Sequence, residues 1–122
     1  MIFIIGGKAQ GKKEYALQTY FDGVLPENTV RGGDASPEEL SQAVLILDLQ
    51  EYVRRRQKEG HCDLPVFRND AVILCEEVGS GIIPLDRAER DYREATGRAG
   101  CRIAEQAEKV ILLRFGIPQR IK

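Results

Sequence analysis

The chain opens MIFIIGGKAQGKK, and the step from Phe3-Ile4-Ile5 into Gly6-Gly7 restricts the fold more than any other feature. A short unbroken apolar run stopped by two glycines suits a strand buried on both faces, as in a parallel sheet. Gly6 to Lys12 then reads G-x-x-x-x-G-K, and beyond Gly11 the residues Ala16, Leu17, Tyr20 and Phe21 fall on one helical face, ending near Asp22-Gly23. Strand, glycine loop and helix in this order suit a phosphate-binding loop. Glycines let backbone N–H groups turn inward around phosphate oxygens, the helix amino end adds a favourable field, and a lysine neutralises charge. The alternative is a glycine turn joining a strand to a lysine-rich helix start. On the phosphate reading Gly6, Gly7, Lys8, Ala9, Gln10, Gly11, Lys12 and Lys13 are the nucleotide-binding residues.

The loop's last position departs from the pattern. It usually carries Ser or Thr, whose hydroxyl coordinates Mg²⁺, and here it is Lys13. An ammonium group cannot ligate a cation and repels it. Either Mg²⁺ is held by phosphates, waters and a carboxylate alone, or the loop binds nucleotide without efficient catalysis.

Beyond this loop, strand and helix signals alternate. Val24-Leu25 and Thr29-Val30 give a weak minor strand on either side of Pro26. Ser36-Pro37-Glu38-Glu39 is a capped helix start with a capping box. The stretch 43–59 then has two readings. As one helix it aligns Leu45, Leu49, Tyr52, Val53 and Arg56 and stops at Gly60; as a strand, Val44 to Leu47 is buried and Asp48 stands at its carboxyl end. The continuous helix is the favoured expectation, since the cap and the Gly60 stop frame a single element.

Ala71 to Cys75 is the clearest buried strand and runs into Glu76-Glu77 and the glycine loop 78–84. Pro84 is expected to open a long helix carrying Leu85, Ala88, Tyr92, Ala95, Ala99, Ile103 and Ala107, with a kink or close contact at Gly97 and Gly100. Lys109 to Phe115 forms a last strand. The whole reads as an α/β layer with a mainly parallel sheet flanked by helices. Glu76 and Glu77 close a strand at the sheet edge where ligands collect, so a carboxylate there could orient a metal-bound water or accept a proton; the plain alternative is two solvated acids.

Composition narrows the function classes. A chain of 122 residues reads as one domain, 1–122. Its formal charge of −1 supplies no bulk attraction to nucleic acid or membrane, and the lack of Trp argues against a base-stacking platform. No apolar run reaches the ~20 residues needed to cross a bilayer. The apolar start is too short for a signal peptide and lacks a basic leader. Cys62, Cys75 and Cys101 have no C-x-x-C spacing, and their odd number argues against a disulfide framework. A reducing, cytoplasmic compartment is expected.

The carboxyl half carries a more specific signal: Glu77-Val78-Gly79, Gly81-Ile82-Ile83-Pro84, Tyr92-Arg93, Gly97-Arg98 and Gly116-Ile117-Pro118 with Lys122. This order resembles the adenosylcobinamide kinase/adenosylcobinamide-phosphate guanylyltransferase family, marked by N-E-V-G-x-G-I-V-P, F-R, G-R and a closing G-I-P-x-x-x-K. The family's opening G-G-x-x-S-G-K-S likewise resembles GGKAQGKK. The resemblance implies a P-loop NTPase-like fold of RecA type, reduced in size. It also implies late steps of cobalamin biosynthesis: phosphorylation of the aminopropanol hydroxyl of adenosylcobinamide by GTP or ATP, then attachment of GMP through a guanylylated histidine.

Carried over, Lys12 would contact the terminal phosphates and Glu77 would be the acid near Mg²⁺. Arg90, Arg93 and Arg98 match family arginines that would meet phosphate, against the reading of a solvated helix face with i, i+4 pairs. The implied ligands are nucleotide and adenosylcobinamide or another corrinoid, in a homo-oligomer. Three departures accompany Lys13. The family is longer, and its guanylyl-accepting histidine has no match here: His61, in EGHCDLP, is the single histidine. The family's D-C-L-T finds only a blurred counterpart in Asp48-Leu49-Gln50-Glu51, and only on the strand reading. The family's N-Q after G-R-x is replaced by Gly100-Cys101. A kinase is thus set against a non-catalytic module that holds nucleotide or corrinoid as carrier, sensor or subunit. A small kinase for an unrelated substrate is a third alternative.

Overall fold

β1 (Ile2–Gly6) lies between two parallel neighbours, pairing Ile2 with Val72 of β4 (Val72–Glu76) on one side and with Lys109 of β5 (Lys109–Arg114) on the other. The apolar start of the chain is therefore the centre of the sheet, and its side chains are buried on both faces. The computed structural model describes residues 1–60, 63–78 and 86–122. Among these, six strands form one sheet in the order β2-β3-β4-β1-β5-β6, parallel except for β6. The remaining elements are α1 (Lys12–Tyr20), β2 (Thr29–Arg31), α2 (Pro37–Gln42), β3 (Leu45–Leu47), α3 (Leu49–Lys58), α4 (Arg87–Gln106) and β6 (Ile117–Arg120).

Alternating side chains divide the core between the two faces. Ile2, Ile4, Leu45, Leu47, Val72, Leu74 and Ile111 pack with Ala16 of α1 on one side. Phe3, Ile46, Ile73, Cys75 and Val110 pack with Leu49 and Tyr52 of α3 and Ile103 of α4 on the other. This is a three-layer P-loop NTPase-like arrangement of RecA type, with helices on both faces of a mainly parallel sheet. Because β1, β3 and β4 run parallel, all three end on the same carboxyl edge of the sheet.

The stretch 43–59 is not one helix. The capping box at Ser36 forms as its sequence requires: Ser36 Oγ accepts the Glu39 N–H and Glu39 Oε1 accepts the Ser36 N–H, both at 3.1 Å. That helix, α2, ends at Gln42. Leu45-Ile46-Leu47 then enters the sheet as β3, buried on both faces between β2 and β4. The helical spacing of Leu45 with Leu49 misled because a run buried all round carries no period of its own. Of the weak strand signal around Pro26 only Thr29–Arg31 is a strand, while Val24 and Leu25 are exposed.

The long helix as described starts at Arg87, where the Asp86 side chain accepts the Ala88 N–H at 2.8 Å. Pro84 lies outside the described residues. Of the two helical glycines, Gly97 faces open space, and a Cβ on Gly100 would meet Phe3 at an ordinary 4.0 Å, so no tight packing contact fixes either. The expected last strand forms as β5, followed by an unexpected hairpin partner, β6. Phe115 (φ 52°) and Gly116 (φ 74°) make the two-residue turn, and positive φ at both positions matches the twist of the strands. Pro118 opposes Leu113 in β6, which suits an edge strand, because a proline there removes a donor that another strand could use.

Candidate functional site

The loop from Gly6 to Lys12 joins β1 to α1 at the carboxyl edge of the sheet. Gly6 has no room for a side chain, since a Cβ there would stand 2.6 Å from the Leu113 carbonyl oxygen of β5. Ala9 (φ 58°) and Gly11 (φ 87°) both take left-handed backbone. Such reversals turn successive peptide groups and build the amide concavities that accept anions. Glycine adopts this at no cost, whereas Ala9 bears strain of about 1 kcal/mol. Lys12 begins α1, and its Nζ donates to the carbonyls of Gly6 at 3.2 Å and Gly7 at 2.8 Å.

The hairpin braces this loop from the other side. The Gly116 N–H donates to the Gln10 carbonyl at 3.0 Å, and the Phe115 N–H donates to Gln10 Oε1 at 2.5 Å. Gln10 is thus held by both its main chain and its side chain.

Splitting 43–59 has a chemical consequence, because it places Asp48 immediately after β3. Asp48 takes left-handed backbone (φ 55°) as the residue before α3. It lines a cleft of about 180 Å³ together with Ala9, Gln10, Gly11, Lys12, Lys13, Glu14 and Arg31. Arg31 Nη1 stands 3.7 Å from Asp48 Oδ2. Asp48 is the site residue that the continuous-helix expectation passes over. Its signal was an acid directly after a four-residue apolar run, the same signal that drew attention to Glu76 and Glu77.

Those two glutamates separate. Glu76 ends β4 opposite Gly6 and is half-buried; its Oε2 accepts from Gln50 Nε2 at 3.4 Å. Glu77 is exposed, and its N–H donates to the Gly6 carbonyl at 2.8 Å, which ties the loop start to β4. Both line a second, polar cleft of about 300 Å³ with Glu51, Arg54, Glu89, Tyr92 and Arg93. There Arg54 donates to Glu89 at 2.7 and 3.4 Å and lies 3.8 Å over the Tyr92 ring. The Arg54 hydrogen bond holds the Glu89 carboxyl below the usual carboxylate range, while burial pushes the Tyr92 hydroxyl up.

The three helix arginines do not converge. Arg93 faces the polar cleft, Arg90 is exposed, and Arg98 lines a different cavity between α3 and α4 and pairs with Glu94 one turn earlier. His61 and the glycine motif 79–84 lie outside the described residues. Among the described residues no group of three or more His, Cys, Asp or Glu side chains forms a metal cluster. None of the described helices is long and apolar enough to cross a membrane.

Residues 34–121 match the family described as cobinamide kinase / cobinamide phosphate guanyltransferase. The chain belongs to that family. The match begins after the phosphate-type loop, which therefore lies outside the matched residues. A bifunctional adenosylcobalamin biosynthesis protein CobU from Escherichia coli (strain K12) is 32% identical over 96 residues, 75% of this chain and 48% of that protein. The protein of the same description from Salmonella typhimurium (strain LT2) is 41% identical over 51 residues, 42% of this chain and 28% of that protein. The chain thus spans about half, or less, of the length of these relatives.

Proposed function

We propose that this chain acts in cobalamin biosynthesis as a nucleoside-triphosphate-binding protein that transfers the terminal phosphoryl group of GTP or ATP to the aminopropanol hydroxyl of adenosylcobinamide. The observation that carries this reading is the shared cleft: Lys12 at the start of α1 and Asp48 at the end of β3 line the same cavity. Phosphoryl transfer asks little covalent chemistry of a protein. It requires a polyanion held by amides and an ammonium group, with charge neutralised as it develops.

In the described state Lys12 is satisfied by the Gly6 and Gly7 carbonyls. An incoming phosphate would exchange those neutral acceptors for charged ones, which hydrogen-bond about twice as strongly. The left-handed reversals at Ala9 and Gly11 shape the amide concavity, and Gln10 holds it against the hairpin. Glu77 ties the loop start to β4 and borders the neighbouring polar cleft, where a hydroxyl acceptor would approach.

The donor set fits Mg²⁺, which characteristically takes one or two carboxylates plus phosphate oxygens and keeps several waters. Asp48 would hold it, and the ion would supply charge neutralisation on the phosphates. Lys13 stands where a hydroxyl ligand is usual and leaves the protein share of the site to carboxylates. His61, the single histidine, stands in the context EGHCDLP, which matches no part of the family's guanylyl-accepting motif, so guanylyl transfer forms no part of this proposal.

Lys13 favours a second reading, a module that binds nucleotide without turning it over. Incubation with γ-labelled GTP or ATP, Mg²⁺ and adenosylcobinamide decides between them. Label in the corrinoid is expected. Binding without transfer at any Mg²⁺ concentration selects the module, and absence of binding contradicts both.

A further inference from the structure

Gln50 is 3% exposed and, with Thr96, is one of two buried polar side chains among the described residues. Thr96 finds no hydrogen-bond partner among them, whereas Gln50 uses both ends of its amide. Its Nε2 donates to Asp48 Oδ1 and to Glu76 Oε2, each at 3.4 Å, and its Oε1 accepts the Glu76 N–H at 2.9 Å. The amide therefore spans the carboxyl ends of β3 and β4 and places one donor group between two carboxylates. Only one orientation satisfies all three contacts, since the carboxylates accept and the Glu76 N–H donates.

A neutral side chain with a donor and an acceptor is what this place requires. A carboxylate there would add a third like charge, and an apolar side chain would leave the half-buried Glu76 N–H without this partner. The backbone of Asp48 is fixed independently, by its left-handed turn and by Gly32 packed against its carbonyl. Its side chain is fixed by Gln50 and Arg31.

We propose that Gln50 is a positioning residue that holds the Asp48 and Glu76 carboxylates in fixed relation across β3 and β4, and so sets how tightly the nucleotide-loaded site takes Mg²⁺. The inference rests on the nucleotide-binding reading. Partners that orient a ligating carboxylate are worth about 10–100-fold in metal affinity.

The test is calorimetric titration of GTP and of ATP into the full chain across a Mg²⁺ series, for wild type, Gln50→Met, Gln50→Asn, Asp48→Asn and the Gln50→Met/Asp48→Asn double variant. The readout is the Mg²⁺ concentration that half-maximally enhances nucleotide affinity over that variant's own metal-free value. It is expected to rise about 10–100-fold in Gln50→Met and in the same direction in Gln50→Asn, whose amide is one methylene too short to serve both strands. The double variant is expected to lose clearly less than the sum of the two single losses, because Gln50 acts in part through the Asp48 carboxylate. A wild-type Mg²⁺ requirement in Gln50→Met, or losses that simply add in the double variant, overturns the proposal. Should Gln50→Met fail to fold, Gln50→Asn decides by the same criterion. A wild type that binds nucleotide with no response to Mg²⁺ also overturns it, while leaving nucleotide binding intact. Failure of wild type to bind either nucleotide sinks the underlying reading instead, and shows before any substitution is made.

Discussion

The carbonyl oxygen of Asp48 fills the space that a Cβ would need at Gly32, whose own N–H donates to the Leu47 carbonyl at 2.8 Å. Backbone meets backbone here, so neither side has a rotamer through which to yield. Gly32→Ala is expected to cost at least about 1–3 kcal/mol, the usual price of overpacking, and to displace Asp48. Urea unfolding reads the first effect. A weakened Mg²⁺ response of nucleotide binding reads the second.

Gln10 couples the loop to the β5–β6 hairpin through two acceptors, only one of which is its side chain. Gln10→Ala leaves the Gly116 hydrogen bond and removes that of Phe115, at a net cost of about 0.5–1.5 kcal/mol. Hydrogen exchange is expected to speed at the Phe115 amide and not at the β1 amides. Nucleotide affinity is expected to fall several-fold as the loop loosens.

Lys13 lines the cleft and is exposed, so its charge would act on both a phosphate and a metal ion bound there. Lys13→Thr supplies the hydroxyl and removes the repelling ammonium. Metal-free nucleotide affinity should fall and the Mg²⁺ response should grow, each by up to about fivefold, the scale of an exposed charge interaction of ~1 kcal/mol. Titrations in EDTA and in Mg²⁺ measure the two changes separately.

Burial pushes the Cys75 thiol up to about 12, from a usual value of 9.0. At pH 8 only roughly one molecule in 10⁴ carries the thiolate. Peptide mapping after treatment with a thiol reagent should find Cys101, which is exposed, labelled and Cys75 untouched. The folded pKa lies above the unfolded one, so the folded state keeps the proton longer. Stability from this group is complete below pH 9 and is lost as pH rises toward 12, at about 1 kcal/mol per pH unit. Comparison with Cys75→Ala in alkaline urea melts isolates it.

The parts of this structure written most plainly in the sequence are those where composition and neighbourhood agree. Phe3-Ile4-Ile5 and Val72 to Cys75 are apolar on both sides and bounded by glycine or acid, and both are central strands. The capping box at Ser36 names its own bonds. Leu45 to Leu47 was ambiguous because three buried residues fit a helix face as well as a strand. Sheet pairing with β2 and β4 resolves it, and that is long-range information. Asp48 was hidden by the same ambiguity. Gln50 was hidden for another reason: its role depends on β4 lying beside β3, which no local spacing reveals. β6 was missed because four exposed residues containing a proline have no burial pattern to read.

Calorimetry of GTP and ATP against wild type and Lys12→Ala, with Mg²⁺ present, tests the central claim most directly. Wild type should bind at least one nucleotide, and Lys12→Ala should lose it by about 10²-fold or more, as expected when a charged partner is taken from a phosphate. Equal affinity in the two proteins, or no binding by wild type at millimolar nucleotide, would contradict it.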